Sequence, residues 1–289
     1  MKQSVTALLP AYNEATGLEC LLPELEKTGL FSEIIVINDA SEDSTAAVCE
    51  KHGVTVITHP YRMGNGACIK TGARHAGGDI LLMMDADCQH PVSMVKQLLE
   101  TVEQGADMAV GARVTNTHAT RSRKHANGVF NWFASWVTGH PIMDLTSGFR
   151  AVRRSKFLEF LRILPNGFSY PTTITMAFFR SGYSVQYVPF EAEEARSESH
   201  IHPLTDGVRF LLIIFKVGTL YTPLKLFFPI SLFFFTTGLV YYMYTFMTEG
   251  RFTNMGALLF ITSVLVFLIG IISEQLTQLL YLYNSKNKD

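Results

Sequence analysis

Short apolar runs alternate with helically spaced ones over the first 113 residues. SVTALLPA, EIIVIND, VTVITH, DILLMMD and ADMAVGAR read as five strands. Between them lie EATGLECLLPELEKTG, SEDSTAAVCEKHG, GNGACIKTGARHAGG and PVSMVKQLLETVEQG, which have helical spacing. The second opens on a capping pattern, and Pro91 suits the first turn of the fourth. A strand followed by a helix, repeated, predicts an α/β domain with a doubly wound, mostly parallel sheet. Ligands of such sheets bind outside the carboxyl ends of the strands. Pro10 to Glu14, Asn38-Asp39 and Asp85-Ala86-Asp87 all fall at such ends, so three strands deliver polar residues to one edge.

The pattern then changes. RSRKHANGVFNWFASWVTG predicts an amphipathic helix led by basic residues, and DLTSGFRAVRRSKF a turn, a strand and a helix start. SVQYVPFEA is a further strand. Over 203–222, apolar residues stand beside Arg209 and Lys216, which predicts an amphipathic interfacial helix. From Leu224 onward LKLFFPISLFFFTTGLVYYMYTFM and MGALLFITSVLVFLIGIISEQL are separated only by TEGRFTN. Each run is about 20 residues, enough to cross a hydrocarbon core of about 30 Å. The expected organisation is a domain over 1–202, the interfacial helix, and a membrane hairpin over 223–289. Its spans lie at about 224–247 and 255–275, followed by a short tail.

Composition agrees with a membrane segment: 48% of residues are hydrophobic and only 17% are charged. Arg209, Lys216, Lys225, Lys286 and Lys288 flank the outer ends of the hairpin, and only Arg251 sits in its link. Positive charge marks the cytoplasmic side, so the large domain and the tail are expected there, the bacterial inner membrane being the natural setting. MKQSVTALLPAYNE lacks a long apolar region and a small-residue cleavage site, so no signal peptide is expected. The four cysteines form no CxxC pair, which fits reduced thiols. A net charge of −1 gives no electrostatic reason to expect nucleic acid.

The candidate chemistry begins with Asp85 and Asp87. Two residues apart beyond a strand end, they can reach one ion. Carboxylates are hard donors suited to Mg²⁺ or Mn²⁺, and Gln89 offers a third, amide oxygen. Cys88 and His90 raise a zinc reading, but they alternate with the acids and should point away; helix capping is the plainer alternative. Asp39 can accept hydrogen bonds from a nucleobase or ribose. Asp43 and Thr45 read as caps. Gly64, Gly66 and Gly72 resemble a phosphate-cradling loop without a Walker ending. Arg62 and Arg113 can neutralise phosphate.

LLPAYNE, INDASEDST, GDILLMMDADCQHP, GAR and DLTSGFRAVRR together resemble the family-two glycosyltransferases. The likeness is nearest to the branch that includes dolichyl-phosphate mannose synthase and the polyprenyl-phosphate glycosyltransferases. It covers nearly all of residues 4 to 225, and the hairpin matches members with two membrane helices. The resemblance implies a nucleotide-sugar-binding, glycosyltransferase A-type (Rossmann-like) fold and an inverting transfer from a nucleotide-diphosphate sugar to a polyprenyl phosphate. It implies that Pro10, Tyr12, Glu14 and Asp39 hold the nucleoside. Asp85, Asp87 and Gln89, with Ala86 between, would hold the ion against the diphosphate. Arg113 and Arg196 would meet phosphates, and Ser147 and Arg150 would shape the acceptor side. Arg121, Arg123 and Lys124 are candidates for the lipid phosphate. Asn38, Asn65 and His200 stand where the family often has aspartate, lysine and lysine, and GFSYPTTIT lacks a common acidic residue. Another lipid or glycan acceptor is the alternative, although QxxRW and additional spans are missing. A non-catalytic scaffold is a second alternative. A homo-oligomer is allowed but not specified.

Overall fold

The computed structural model describes residues 3–113, 121–191 and 222–286, together with Phe215, Gly218 and Thr219. Seven strands form one sheet: β1 (Val5–Ala11), β2 (Glu33–Asn38), β3 (Thr55–Thr58), β4 (Ile80–Met83), β5 (Met108–Arg113), β6 (Arg150–Arg153) and β7 (Val185–Phe190). Their order is β3-β2-β1-β4-β6-β5-β7. β1 pairs in parallel with both β2 and β4, and β5 with β7. β6 runs antiparallel to β4 and to β5. The chain thus departs from a purely parallel wind at one strand, and that strand separates β4 from β5.

The helices that follow are α1 (Ala15–Thr28), α2 (Thr45–His52), α3 (Asn65–His75), α4 (Val95–Glu103), α5 (Arg121–Thr138), α6 (Arg154–Leu158) and α7 (Tyr170–Arg180). α7 had no counterpart in the sequence reading. It is buried along Tyr170 to Phe178, so its pattern is apolar and threonine-rich all round and carries no amphipathic signal.

β1 and β4 are buried along their whole length, which is why SVTALLPA and DILLMM are continuous apolar runs and not alternating ones. Leu18, Leu21, Leu22 and Leu25 of α1 repeat at helical spacing and are buried against Val36, Leu82, Leu98 and Val102. Each fully buried leucine contributes about 1.5–3 kcal/mol. Gly29 and Gly53 end α1 and α2 in the left-handed conformation, with φ of 60° and 66°.

The chain divides into two compact units, Met1–Trp132 with His140–Asp206, and Phe133–Gly139 with Gly207–Asp289. In the second, α8 (Pro223–Glu249) and α9 (Asn254–Lys286) form an antiparallel pair. Ser231 Oγ donates to the Ser263 carbonyl and Ser263 Oγ to the Ser231 carbonyl, both at 2.9 Å. Gly238 and Gly270 lie where a Cβ would meet Leu259 Cβ at 3.1 Å and Phe227 Cβ at 2.8 Å, so small residues set the approach of the two helices. Pro223–Glu249 and Asn254–Leu279 are long and apolar enough to cross a membrane. Only 17% of the apolar window of each is buried, whereas a core helix of a soluble protein would be mostly covered. The 203–222 segment lies almost wholly outside the described residues.

Candidate active site

The carboxyl ends of β1, β2 and β4 open onto one cavity of about 300 Å³. Seven of the expected residues line it: Pro10, Tyr12 and Glu14 after β1, Asp39 after β2, and Asp85, Ala86 and Asp87 after β4. Asn13, Ala40 and Cys88, one in each of these loops, have left-handed backbones with φ of 57°, 59° and 61°. Such conformations are uncommon for residues other than glycine and cluster at functional sites. The loops are tied together. Asn13 N–H donates to Ser41 Oγ and Glu42 N–H to Asn13 Oδ1. Asp43 takes the N–H of Ala15 on one oxygen and of Thr45 on the other, so it caps the first turns of both α1 and α2.

Asp85, Asp87 and Glu14 bring their charges together. Burial pushes the Asp87 carboxyl above its ordinary range, and the charge of Asp85 adds to this. Glu14 is raised by burial and then by Asp87, Asp85 and Asp43. Carboxyls gathered in this way are hard oxygen donors wanting a counter-charge, and they fit a divalent cation. Gln89 contributes through its main chain: its N–H donates to Asp87 Oδ1 at 3.1 Å, and its side chain is not in the cavity wall.

His90 does not point away as its alternation with the acids suggested. Its ring stacks on Phe149 with centroids 4.8 Å apart. Nδ1 accepts the Asp85 N–H at 3.2 Å, and Nε2 stands 3.9 Å from Asp85 Oδ2. The left-handed turn at Cys88 reverses the chain, which defeats a strand-like count of facing directions. Cys88 Sγ donates to the Gly17 carbonyl.

Asp39 is 3% exposed and partly committed within the protein. Oδ1 receives His59 Nδ1 and the Met63 N–H, and Oδ2 the Gly64 N–H, each at 2.8 Å. Burial opposes its ionisation, but the bonds from His59, Met63 and Gly64 outweigh this and hold the carboxyl below its usual range. An ionised Asp39 can only accept, so His59 Nδ1 donates, and Nε2 is hydrogen-bonded to the Thr71 hydroxyl at 3.0 Å. Cys68 completes the group, and the ligand atoms of Asp39, His59 and Cys68 lie within 4.8 Å of one another. This is a second set that could hold an ion. Its nitrogens are already bonded and burial pushes the Cys68 thiol up to about 12, so the acidic trio is the better match to a hard cation.

Gly64 lines the cavity, and both Gly64 and Gly66 lie close against the 165–167 backbone. A Cβ at Gly64 would stand 2.7 Å from the Asn166 carbonyl oxygen, and one at Gly66 would stand 2.2 Å from that of Pro165. The Ala67 N–H donates to Asn166 O, and Lys70 Nζ bonds Leu164 O and Asn166 Oδ1. The start of α3 is covered by the 164–168 loop, whose Phe168 enters the cavity wall. Gly72 meets Ile37 and Leu8, packing the helix on the sheet. Arg62 lies over the Tyr12 ring at 4.0 Å.

Arg113 is held by Asp144 through Nε at 2.8 Å and Nη2 at 3.1 Å, and by Thr146 Oγ1. Its side chain stays 45% exposed. Arg150 is fully buried, which corrects its assignment as a substrate contact. It donates to Ser147 O, Pro171 O and Thr175 Oγ1, so it braces the 147–150 turn from behind. The Ser147 hydroxyl is buried without a hydrogen-bond partner among the described residues. Arg196 and His200 lie outside the described residues, as do the side chains of Arg121, Arg123 and Lys124.

Sequence reasoning missed His59, Asp144, Phe168 and Gly17. A Cβ at Gly17 would meet Ala86 O at 2.1 Å, so this glycine lets α1 lie against the Asp85–Asp87 loop. An isolated glycine inside a helical pattern was the available signal.

The model of glycosyl transferase family 2 matches residues 6–161, and that of the GtrB C-terminal hairpin matches 222–279. A dolichol-phosphate mannosyltransferase of Pyrococcus furiosus is 32% identical over 212 residues, covering 68% of this chain and 59% of its own length. A polyprenol monophosphomannose synthase of Mycolicibacterium smegmatis is 27% identical, covering 66% of this chain and 78% of its own. The fold is shared with glucosyl-3-phosphoglycerate synthase from Mycobacterium tuberculosis, solved with Mn²⁺, uridine diphosphate and glucosyl-3-phosphoglycerate. The TM-score is 0.61 at 17% identity, over 75% of this chain and 80% of that one. With the family model spanning more than half of its residues and the strand-end cavity built as described, the chain belongs to glycosyl transferase family 2.

Proposed function

We propose that the chain moves a sugar, with inversion, from a nucleotide-diphosphate sugar to a polyprenyl phosphate at the cytoplasmic face of a membrane. The observation that carries this is the meeting of Glu14, Asp85 and Asp87 with Asp39 in one cavity at three strand ends. Support for a lipid acceptor comes from the names of the two relatives and from the apolar hairpin.

In this reading Pro10, Tyr12 and Asp39 hold the nucleoside, and Asp85 and Asp87 hold Mg²⁺ or Mn²⁺. The bound ion supplies charge neutralisation for the diphosphate. Arg113, anchored on Asp144, faces the same charge. The acceptor is a phosphate monoester already anionic at neutral pH, so it needs little from a general base. Its oxygen forms the new bond to the anomeric carbon while the bond to the diphosphate breaks, and the nucleoside diphosphate leaves with the electron pair. The protein's task is alignment and charge stabilisation. Ser147 is proposed to shape the acceptor side, with Arg150 bracing its turn from behind. Arg121, Arg123, Arg196 and His200 are proposed to meet the phosphates.

Asp87→Ala should abolish transfer to polyprenyl phosphate in membranes, with the protein still expressed and its Tm retained. Persistent activity would remove the role given to the acidic trio. Product that is a neutral lipid without phosphate would favour a different acceptor.

A further inference from the structure

The outward face of α5 is one that water does not suit. Ala134 and Val137 are fully buried and mark the side turned to the protein. Trp132 and Trp136, four residues apart, share the opposite side and are 67% and 41% exposed. The outward face of a helix in water is normally polar. Met143 is exposed as well and adjoins this helix, since Asn131 Nδ2 donates to its carbonyl at 2.7 Å. Large apolar side chains exposed together mark an interaction site.

Three observations point to a lipid surface as the occupant. The end of α5, Phe133–Gly139, belongs to the same compact unit as the hairpin. There Lys225 Nζ, in the first turn of α8, donates to the Val137 carbonyl at 3.2 Å. The apolar span of α8 begins at Pro223, so this end of α5 stands where the span meets water. Tryptophan is also the residue that gathers at that level, with an apolar ring for the lipid and an N–H for the wet side. Finally, α5 opens in sequence on Arg121, Ser122, Arg123 and Lys124, whose charges complement anionic headgroups.

Resting on the reading of the hairpin as membrane-spanning, we infer that α5 lies in the membrane interface, with Trp132 and Trp136 seated among headgroups and upper acyl chains. The contact adjoins the site. Asn131 Oδ1 accepts the Leu145 N–H at 3.3 Å, so Asn131 brackets Asp144, which grips Arg113. A bilayer against α5 therefore bears on the loop that aims Arg113.

Trp132 and Trp136 are the only tryptophans of the sequence, so intrinsic fluorescence reads this face directly. The test places the full chain in vesicles of phosphatidylcholine and phosphatidylglycerol, with brominated phosphatidylcholine as the lipid quencher and acrylamide as the aqueous one. The expected result is blue-shifted emission that loses most of its intensity to lipid brominated near the headgroup end of the chain and little to acrylamide. Strong quenching by acrylamide alone puts the face in water and overturns the inference. Protection from both quenchers means that protein, such as a second copy, covers the face, and overturns it too. Trp132→Phe and Trp136→Phe each leave one tryptophan, and both variants should keep the lipid quenching; its loss in either overturns the shared seat. Carbonate extraction of the same vesicles reads the hairpin separately. A retained protein with water-exposed tryptophans overturns only the inference, whereas an extracted protein overturns the hairpin reading with it.

Discussion

Gly17 shows how little room the acidic loop has. It sits in the first turn of α1, and any side chain there would press on Ala86 O from 2.1 Å. Backbone cannot yield as a flexible side chain can, so Gly17→Ala must move either α1 or the Asp85–Asp87 loop. Misplacement of about 1 Å costs about 10²-fold in rate. Gly17→Ala is therefore expected to lower kcat by about that factor while circular dichroism stays native. A variant with full kcat would show that the loop tolerates displacement. The aspartates themselves were legible, because an apolar strand that ends in two acids is a local pattern. The environment of each was not. His90 reaching back to the Asp85 N–H depends on the left-handed Cys88, and His59 meeting Asp39 joins residues 20 apart across two strands.

At the level of elements, strands and helices up to β5 follow from periodicity, since each buries one stripe or one whole run. Beyond it the reading weakened for a physical reason. β6 is inserted antiparallel between β4 and β5, a choice made by long-range pairing and not by its four residues. The glycines at the start of α3 could not be read one way, because a phosphate loop and a close backbone approach ask for the same residue. In the hairpin, the reciprocal Ser231–Ser263 bonds are a buried polar link between two apolar helices. A double-mutant cycle of Ser231→Ala and Ser263→Ala, followed by thermal unfolding in detergent, should give a coupling of about 0.6 kcal/mol, the usual size for such pairs. Strict additivity would mean that the two serines contribute no mutual coupling to the association of the helices.

For the whole molecule, charge placement makes a claim about sidedness. Arg251 is the single basic residue of the link, against five flanking the outer ends. It is 73% exposed at its side chain, and Cys20 of the sheet domain is also exposed. Arg251→Cys on intact cells should react with a membrane-impermeant maleimide, whereas Cys20 should react only after permeabilisation. The reverse pattern would place the domain on the outside. The hairpin was legible because each of its helices has the length and composition needed to cross a bilayer.

The contact of Gly64 and Gly66 with the Pro165–Gly167 backbone has a consequence for divergence. Two stretches a hundred residues apart share one surface with no side chain between them. A lineage that gains a side chain at either glycine must reshape or shorten the facing loop in the same step, and that loop carries Phe168 into the cavity. Change at the donor end is thereby inherited together with change in the wall opposite, so substrate range is expected to drift in paired moves and not position by position.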